Sequence, residues 1–267
     1  MVPADNRGAR PGRLTAWCLV LGLLSAGSAL AAGPAEGGLP PDAEKRLSAV
    51  LDGTASAFVL HDPSRDRFVR YDRERCRRRL TPFSTFKIPN TLIALDTGVI
   101  RDPDATVRRD PEKHPRQDFW PEPWMGDQTL HTAFRNSVVW FYQDLAVAVG
   151  PAKMKRYLDR FHYGNRDLSG GQDRFWLGSS LKISADEQVE FLQAFHGGHL
   201  GLKPETTRIA KEVFQYEKGD GYVLSAKTGG GETGSEQALG LLPPEAGPAS
   251  RASGGAVRAP GAGTGGK

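Results

Sequence analysis

The chain has 267 residues, which is enough for one large domain or two small ones. Its apolar fraction of 39% and charged fraction of 25% are those of a soluble globular protein. The net charge of +4 is basic, but no dense run of Lys and Arg with interleaved aromatic residues is present, which argues against nucleic-acid binding. Four arginines do cluster, and we interpret them as a solvated turn beside a strand. They are Arg75, Arg77, Arg78 and Arg79.

The N-terminal region has the residue order of a secretory signal peptide. Arg7, Arg10 and Arg13 precede an apolar stretch over 14–24, and small residues follow it up to Ala31. The stretch is shorter than a typical bilayer-spanning helix, and a retained anchor or a buried helix is the alternative. We expect cleavage near Ala31 and a periplasmic mature chain with no membrane span.

The first half of the mature chain begins with residues 32–41, whose Gly and Pro content predicts a flexible leader. Two short apolar runs, over 55–60 and 67–71, flank a His-Asp-Pro-Ser turn and predict a β-hairpin. Apolar residues at helical spacing then predict a helix over 84–95, which Gly98 ends as a left-handed cap.

Helices dominate the prediction for the second half. Residues 101–127, rich in Pro, Asp and Arg, predict a long surface segment, and 130–149 predict a helix broken near Ser137. Two further helices are expected to begin at prolines, one from Pro151 to Gly164 and one from Pro204 to about Phe214. Between them, the capping box of Ser184 and Glu187 predicts a helix that runs to Phe195. A strand is expected over 222–226. Strands near both ends and a mostly helical central region predict an α+β fold, with an antiparallel sheet flanked by helices.

Ser84 and Lys87 are the first candidate pair for chemistry. Their spacing of three places both side chains on one face of a helix. A serine hydroxyl needs an adjacent base to act as a nucleophile, and a lysine serves as that base only when it is unprotonated or chemically altered, which burial favours. Two surface residues on a helix would give the same spacing, so the pair alone is weak.

A second candidate group follows the last predicted strand. Lys227 and Thr228 offer a cation and a hydroxyl to a substrate carboxylate, and Gly229 lets a substrate approach the backbone. An ordinary junction between a strand and a turn is the alternative. The order of Ser-x-x-Lys before Lys-Thr-Gly is a signature of β-lactamases and penicillin-binding proteins.

Further motifs between these two groups refine the resemblance. The chain is similar to the class D (oxacillinase-type) serine β-lactamases, which belong to the penicillin-recognising serine acyltransferases. The resemblance runs from about Phe58 to Gly229, and Ser-Val-Val replaces the Ser-Asp-Asn of class A. Its motifs are Ser84-Thr85-Phe86-Lys87-Ile88-Pro89-Asn90, Ser137-Val138-Val139, Tyr163-Gly164-Asn165, Phe175-Trp176-Leu177 and Leu181-Lys182-Ile183-Ser184.

The resemblance implies a role for each site residue. Ser84 would form the acyl-enzyme, and Lys87 would carry a carbamate derived from CO2 that serves as general base in both half-reactions. The Trp176 indole N–H is a suitable donor to that carbamate, and Ser137 would relay a proton to the departing nitrogen. The residues expected to bind substrate are Val139, Lys227, Thr228, Gly229 and Gly230, with the backbone N–H groups of Ser84 and Gly230 forming the oxyanion hole.

The resemblance also implies what the protein binds. The expected ligands are β-lactam antibiotics, with no cofactor besides the carbamate and no metal, because neither the cysteines nor the histidines have metal-ligand spacing. With Cys18 in the signal peptide, Cys76 has no partner for an internal disulfide. The mature chain is expected to be a monomer or a homodimer. The alternatives are a penicillin-binding or sensor domain that is acylated but not regenerated, and a non-catalytic protein that retained the scaffold.

The C-terminus departs from the family. We divide the chain into a signal peptide over 1–31, a β-lactamase/transpeptidase-like domain over 32–230, and a low-complexity, aberrant tail over 231–267. The tail lacks the apolar strand, the helix and the carboxylate-binding arginine that family members carry there. We expect the fold to be incomplete at this end, with the strand of Lys227 exposed as a sheet edge, and the protein to be unstable or weakly active.

Overall fold

The computed structural model of the chain describes residues 35–36, 41–51, 55–231 and 238–242. The signal peptide and its cleavage near Ala31 lie outside the described residues, and so does most of the tail. Among the described residues, no helix is both long and apolar enough to cross a bilayer.

The N-terminal part forms a small three-stranded sheet. It comprises β1 (Ala35–Glu36), α1 (Pro41–Leu51), β2 (Phe58–Asp62), β3 (Arg67–Tyr71) and α2 (Arg73–Arg77). Strand β3 lies in the middle, antiparallel to β2 and parallel to β1. The predicted hairpin is therefore confirmed.

The interpretation of the arginine cluster as a turn was wrong. Arg75 and Arg77 lie in α2, which begins where Asp72 at the N-cap accepts a hydrogen bond from the Arg75 N–H at 3.0 Å, and Arg78 and Arg79 follow the helix. Arg75 is half-buried and the other three arginines are exposed, with Arg79 forming a bidentate pair with Glu187. Cys76 is a buried residue of α2, and its thiol is not in a disulfide.

The central part is helical, as predicted. After a 3-10 helix over Phe83–Phe86, its elements are α3 (Lys87–Asp96), a second 3-10 helix over Glu122–Met125, α4 (Leu130–Arg135), α5 (Val139–Val149), α6 (Pro151–Arg160), α7 (Ala185–His196) and α8 (Pro204–Phe214). Every residue of α3 is buried, and α5 and α8 pack directly against it. The break at Ser137 and the capping box of Ser184 and Glu187 are confirmed.

The C-terminal part forms a second sheet, in the order β4-β5-β6, and all its strand pairs are antiparallel. Its strands are β4 (Gln215–Gly219), β5 (Tyr222–Gly229) and β6 (Ala238–Leu242). The α+β class is confirmed, with the strands divided between two three-stranded sheets. The expectation that the strand of Lys227 is an exposed edge was wrong, because β6 pairs with β5 from Ser225 opposite Leu242 to Gly229 opposite Ala238.

A buried carboxylate holds the far end of α3. Asp96 accepts hydrogen bonds from the Tyr157 hydroxyl of α6, the Lys203 N–H at 2.9 Å and the Thr206 hydroxyl of α8 at 3.0 Å. Burial would raise the pKa of Asp96, but these hydrogen bonds outweigh it and lower the pKa below its usual value. Asp96 therefore ties α3 to α6 and α8 as an ionised group.

Candidate active site

The structure brings Ser84 and Lys87 into direct contact. Ser84 lies in the 3-10 helix and Lys87 begins α3, so one turn of chain separates them. The Lys87 Nζ donates a hydrogen bond to the Ser84 Oγ at 2.7 Å. The Lys87 side chain is 0% exposed. Its burial, together with the charge of Lys227, holds the pKa of Lys87 well below the usual value. The Lys87 amine is therefore predisposed to be neutral beside a serine hydroxyl.

Aromatic side chains surround this pair. The Tyr142 ring centroid lies 5.4 Å from the Lys87 Nζ, and Phe86 stacks on Trp176 with ring centroids 5.2 Å apart. Trp176 is 0% exposed, and its indole Nε1 is buried without a hydrogen-bond partner. An unpaired buried donor is rare in folded proteins, and it marks a place where an acceptor can be received.

Ser137 occupies the break between α4 and α5. Its backbone is in the left-handed region, with φ of 56°, and its N–H donates to the Phe134 carbonyl at 3.1 Å. Val138, buried behind it, and Val139, half-buried at the start of α5, complete the motif. This conformation turns the chain so that Ser137 is only half-buried while its neighbour enters the core.

Trp124 supports this turn and was missed by the sequence reasoning. Its indole N–H donates to the Asn136 carbonyl at 2.8 Å, and the Trp140 indole N–H donates to the Trp124 carbonyl at 2.9 Å. The Pro, Asp and Arg residues around Trp124 predict a surface segment over 101–127. The partners of Trp124 lie more than ten positions away in the chain, so local sequence carries no signal of the contact.

Apart from Val139, which begins α5, the residues expected to bind substrate lie on β5 or directly after it. Lys227 is 5% exposed, its Nζ donates to the Thr228 carbonyl at 3.0 Å and lies 5.8 Å from the Phe134 ring centroid. Burial lowers the pKa of Lys227 to about 8. Thr228 and Gly230 are exposed, and Gly229 between them is buried. Strand β5 packs against the 3-10 helix that carries Ser84, so the two lysine motifs lie together, and the charge of Lys227 lowers the pKa of Lys87.

The remaining motifs are hydrogen-bonded to each other and to the segment that precedes Ser84. The Asn165 N–H donates to the Lys182 carbonyl and the Lys182 N–H donates to the Asn165 Oδ1, both at 2.9 Å. Gly164 has φ of +53°, and a Cβ there would lie 2.0 Å from the Lys182 carbonyl oxygen. Leu80 pairs with Ile183 as an isolated antiparallel bridge just ahead of Ser84. Asn165 therefore joins the Tyr163-Gly164-Asn165 motif to the Leu181-Lys182-Ile183-Ser184 motif.

The described segments hold no group of three or more His, Cys, Asp or Glu side chains that could bind a metal ion. The His114 ring pairs instead with the Asp144 carboxylate at 2.9 Å.

Comparison with known proteins identifies the family. Residues 56–240 match the penicillin binding protein transpeptidase domain. A probable β-lactamase of Bacillus subtilis, YbxI, is 43% identical over 178 residues, which are 67% of this chain and 64% of that protein. The β-lactamase OXA-10 of Pseudomonas aeruginosa is 37% identical over 184 residues, 69% of this chain and 67% of that protein. The crystal structure of a class D β-lactamase from Bacillus subtilis matches with a TM-score of 0.65 and 40% identity, covering 68% of this chain and 75% of that one.

The chain therefore belongs to the penicillin-binding transpeptidase domain family, within its class D β-lactamase branch. The matched part spans a little less than two thirds of YbxI. The match to the family ends at residue 240, so the resemblance extends beyond Gly229, where we had placed its end, and into β6.

Proposed function

We propose that the protein hydrolyses β-lactams through an acyl-enzyme on Ser84. The observation that carries this proposal is the 2.7 Å hydrogen bond from the Nζ of the fully buried Lys87 to the Oγ of the half-buried Ser84. The class D β-lactamases among its relatives support the same reaction.

In the proposed acylation, the Ser84 Oγ attacks the lactam carbonyl carbon. A C–O bond forms, the hydroxyl proton passes to the base at Lys87, and the lactam C–N bond breaks. Ser137 relays that proton from the base to the departing nitrogen, giving up its own hydroxyl proton and taking one from the base. The backbone N–H groups of Ser84 and Gly230 stabilise the developing oxyanion.

The substrate carboxylate is held at β5 in this proposal. A protonated Lys227 and the exposed Thr228 hydroxyl give a charge-assisted pairing. The pKa of Lys227 near 8 keeps the ammonium form dominant at neutral pH. Gly229 and Gly230 let the ligand lie against the backbone, and Val139 packs beside it.

The described residues fit a carbamate on Lys87. A neutral amine is the form that reacts with CO2, and the lowered pKa of Lys87 favours that form. The unpaired Trp176 Nε1 provides a donor for an anion at the end of the Lys87 side chain. When bound, the carbamate supplies a general base for acylation and for activation of the deacylating water. Trp176 and Phe86 exclude bulk water around it.

Hydrolysis of a chromogenic cephalosporin by the mature chain, with bicarbonate added, tests the proposal. Turnover in the parent and none in Ser84→Ala is the expected result. Intact mass after mixing with a penicillin separates the alternatives, since a transient adduct is expected of a hydrolase and a lasting one of a sensor or penicillin-binding protein. No adduct on a folded sample would refute acylation at Ser84 and favour a non-catalytic scaffold.

We further propose that the mature chain acts in the periplasm, as a monomer or a homodimer. A β-lactamase in that compartment would confer resistance to β-lactam antibiotics. Export can be tested by fractionating cells that express the full chain, where a mature species beginning near Ala32 is expected in the periplasm. Recovery of only the uncleaved chain with the membranes would contradict cleavage.

A further inference from the structure

The residue before the nucleophile is held in an unusual conformation. Phe83 has φ of 46°, in the left-handed region that favours glycine. It is nevertheless a bulky residue and only 4% exposed. A strained conformation of this kind persists only where the surroundings impose it, and such residues cluster at functional sites.

The contact that accompanies this strain is with Gly231. A Cβ added to Gly231 would lie 2.1 Å from the Cε1 of Phe83 and 2.6 Å from its Cδ1 and Cζ. The Phe83 ring therefore rests against the bare Cα of Gly231, at a distance that any side chain would prevent. Strands β5 and β6 both pack against the 3-10 helix that begins at Phe83.

This contact links two backbone groups that are distant in sequence. Ser84 directly follows Phe83, and Gly230 directly precedes Gly231. Their N–H groups are the two oxyanion donors of the proposed function, on which this inference rests. One donor is therefore the chain neighbour of Phe83, and the other is the chain neighbour of Gly231. We propose that Phe83 is a positioning residue, whose ring on Gly231 sets the separation of the two oxyanion donors.

A purely structural role for Phe83 makes a different prediction. A ring that only fills space would, when removed, lower the stability and leave the acylation step of the folded fraction unchanged. A positioning role acts on the transition state, so the acylation rate constant falls while the dissociation constant of the substrate, which depends on Lys227 and Thr228, is largely kept.

The test is a cycle of Phe83→Ala, Gly231→Ala and the double variant, with acylation resolved by stopped flow. We expect Gly231→Ala to lower the acylation rate constant about 100-fold and Phe83→Ala about tenfold, with substrate dissociation constants within about threefold of the parent. In the Phe83→Ala background, Gly231→Ala should lower the acylation rate constant by no more than about twofold, because the ring that the added methyl would collide with is gone. The assay is run well below the melting temperature of each variant.

Amide NMR spectra provide a second readout that needs no substrate. The N–H resonances of Ser84 and Gly230 should both shift in Gly231→Ala and return toward the Phe83→Ala positions in the double variant. Full acylation by Gly231→Ala, or equal losses in both backgrounds, would overturn the inference while leaving the proposed function intact. If the parent is not acylated, the proposed function fails, and unmoved Ser84 and Gly230 resonances would then reject the positioning role on their own.

Discussion

Replacing Trp176 with Phe should separate stability from activity. The Trp176 Nε1 is buried without an acceptor, and such a donor costs about 1–3 kcal/mol, which Phe removes. The smaller ring leaves a cavity of about 40 Å³, which costs roughly 1 kcal/mol at about 24 cal/mol per Å³. In bicarbonate-free buffer, the free energy of unfolding should therefore stay within about 1 kcal/mol of the parent or rise by up to about 2 kcal/mol.

Trp140→Phe is the matched control for this change. Trp140 is equally buried, but its indole N–H donates to the Trp124 carbonyl at 2.9 Å. The same truncation there breaks a hydrogen bond and leaves a cavity, so a loss of about 2–4 kcal/mol is expected. Urea unfolding of the three proteins measures both values.

Although Trp176→Phe should keep its stability, we expect it to hydrolyse β-lactams more slowly than the parent. Loss of a hydrogen bond to a charged group is worth about 1.5–3 kcal/mol, or roughly 10–150-fold in the rate of hydrolysis. Steady-state turnover with bicarbonate measures it. If Trp176→Phe is destabilised as much as Trp140→Phe, or hydrolyses at the parent rate, the interpretation of Trp176 as a donor awaiting an anion is refuted.

Three further predictions concern other parts of the site. Burial lowers the pKa of Lys227 to about 8, so KM should rise above pH 8 as its ammonium form is lost, and Lys227→Arg should keep a flat KM to pH 10. Gly164→Ala places a methyl group 2.0 Å from a backbone carbonyl and should cost at least about 2 kcal/mol in urea unfolding. Its control, Gly98→Ala, meets nothing within 4 Å and should cost only about 1 kcal/mol from its positive φ. Deleting 243–267 should preserve the melting temperature, whereas deleting 232–267 removes β6 and should lower it by several degrees; equal melting temperatures would show that β6 contributes nothing.

Local chemistry explains what the sequence predicted well. The capping box of Ser184 and Glu187, the positive-φ cap at Gly98 and the break at Ser137 are each determined by residues within one turn of chain. The Ser84–Lys87 contact was also accessible, because a spacing of three on a helix places both side chains together.

Tertiary pairing explains what the sequence did not predict. Strand β4 is almost entirely exposed and has no apolar alternation, so it is recognisable only through its pairing with β5. Strand β6 lies within a segment whose composition predicts no structure, yet it aligns with the strand of Lys227. The ring of Tyr142 over Lys87 and the contact of Phe83 with Gly231 join distant parts of the chain and leave no local pattern.

The hydrogen bonds to Asp96 have a consequence for how this protein could change over time. Asp96 fixes the far end of α3 through α6 and α8, all of which precede the atypical C-terminus. The hydrogen bond between Lys87 and Ser84 is thereby supported by the helical body, whereas the proposed carboxylate contacts lie on β5 and the proposed spacing of the oxyanion donors depends on Gly231. We therefore expect sequence changes after Gly229 to affect β-lactam acylation while the Lys87–Ser84 contact stays in place. A relative with a changed C-terminus could then keep a paired serine and lysine without β-lactam turnover, which is a starting point for activity toward other acyl donors.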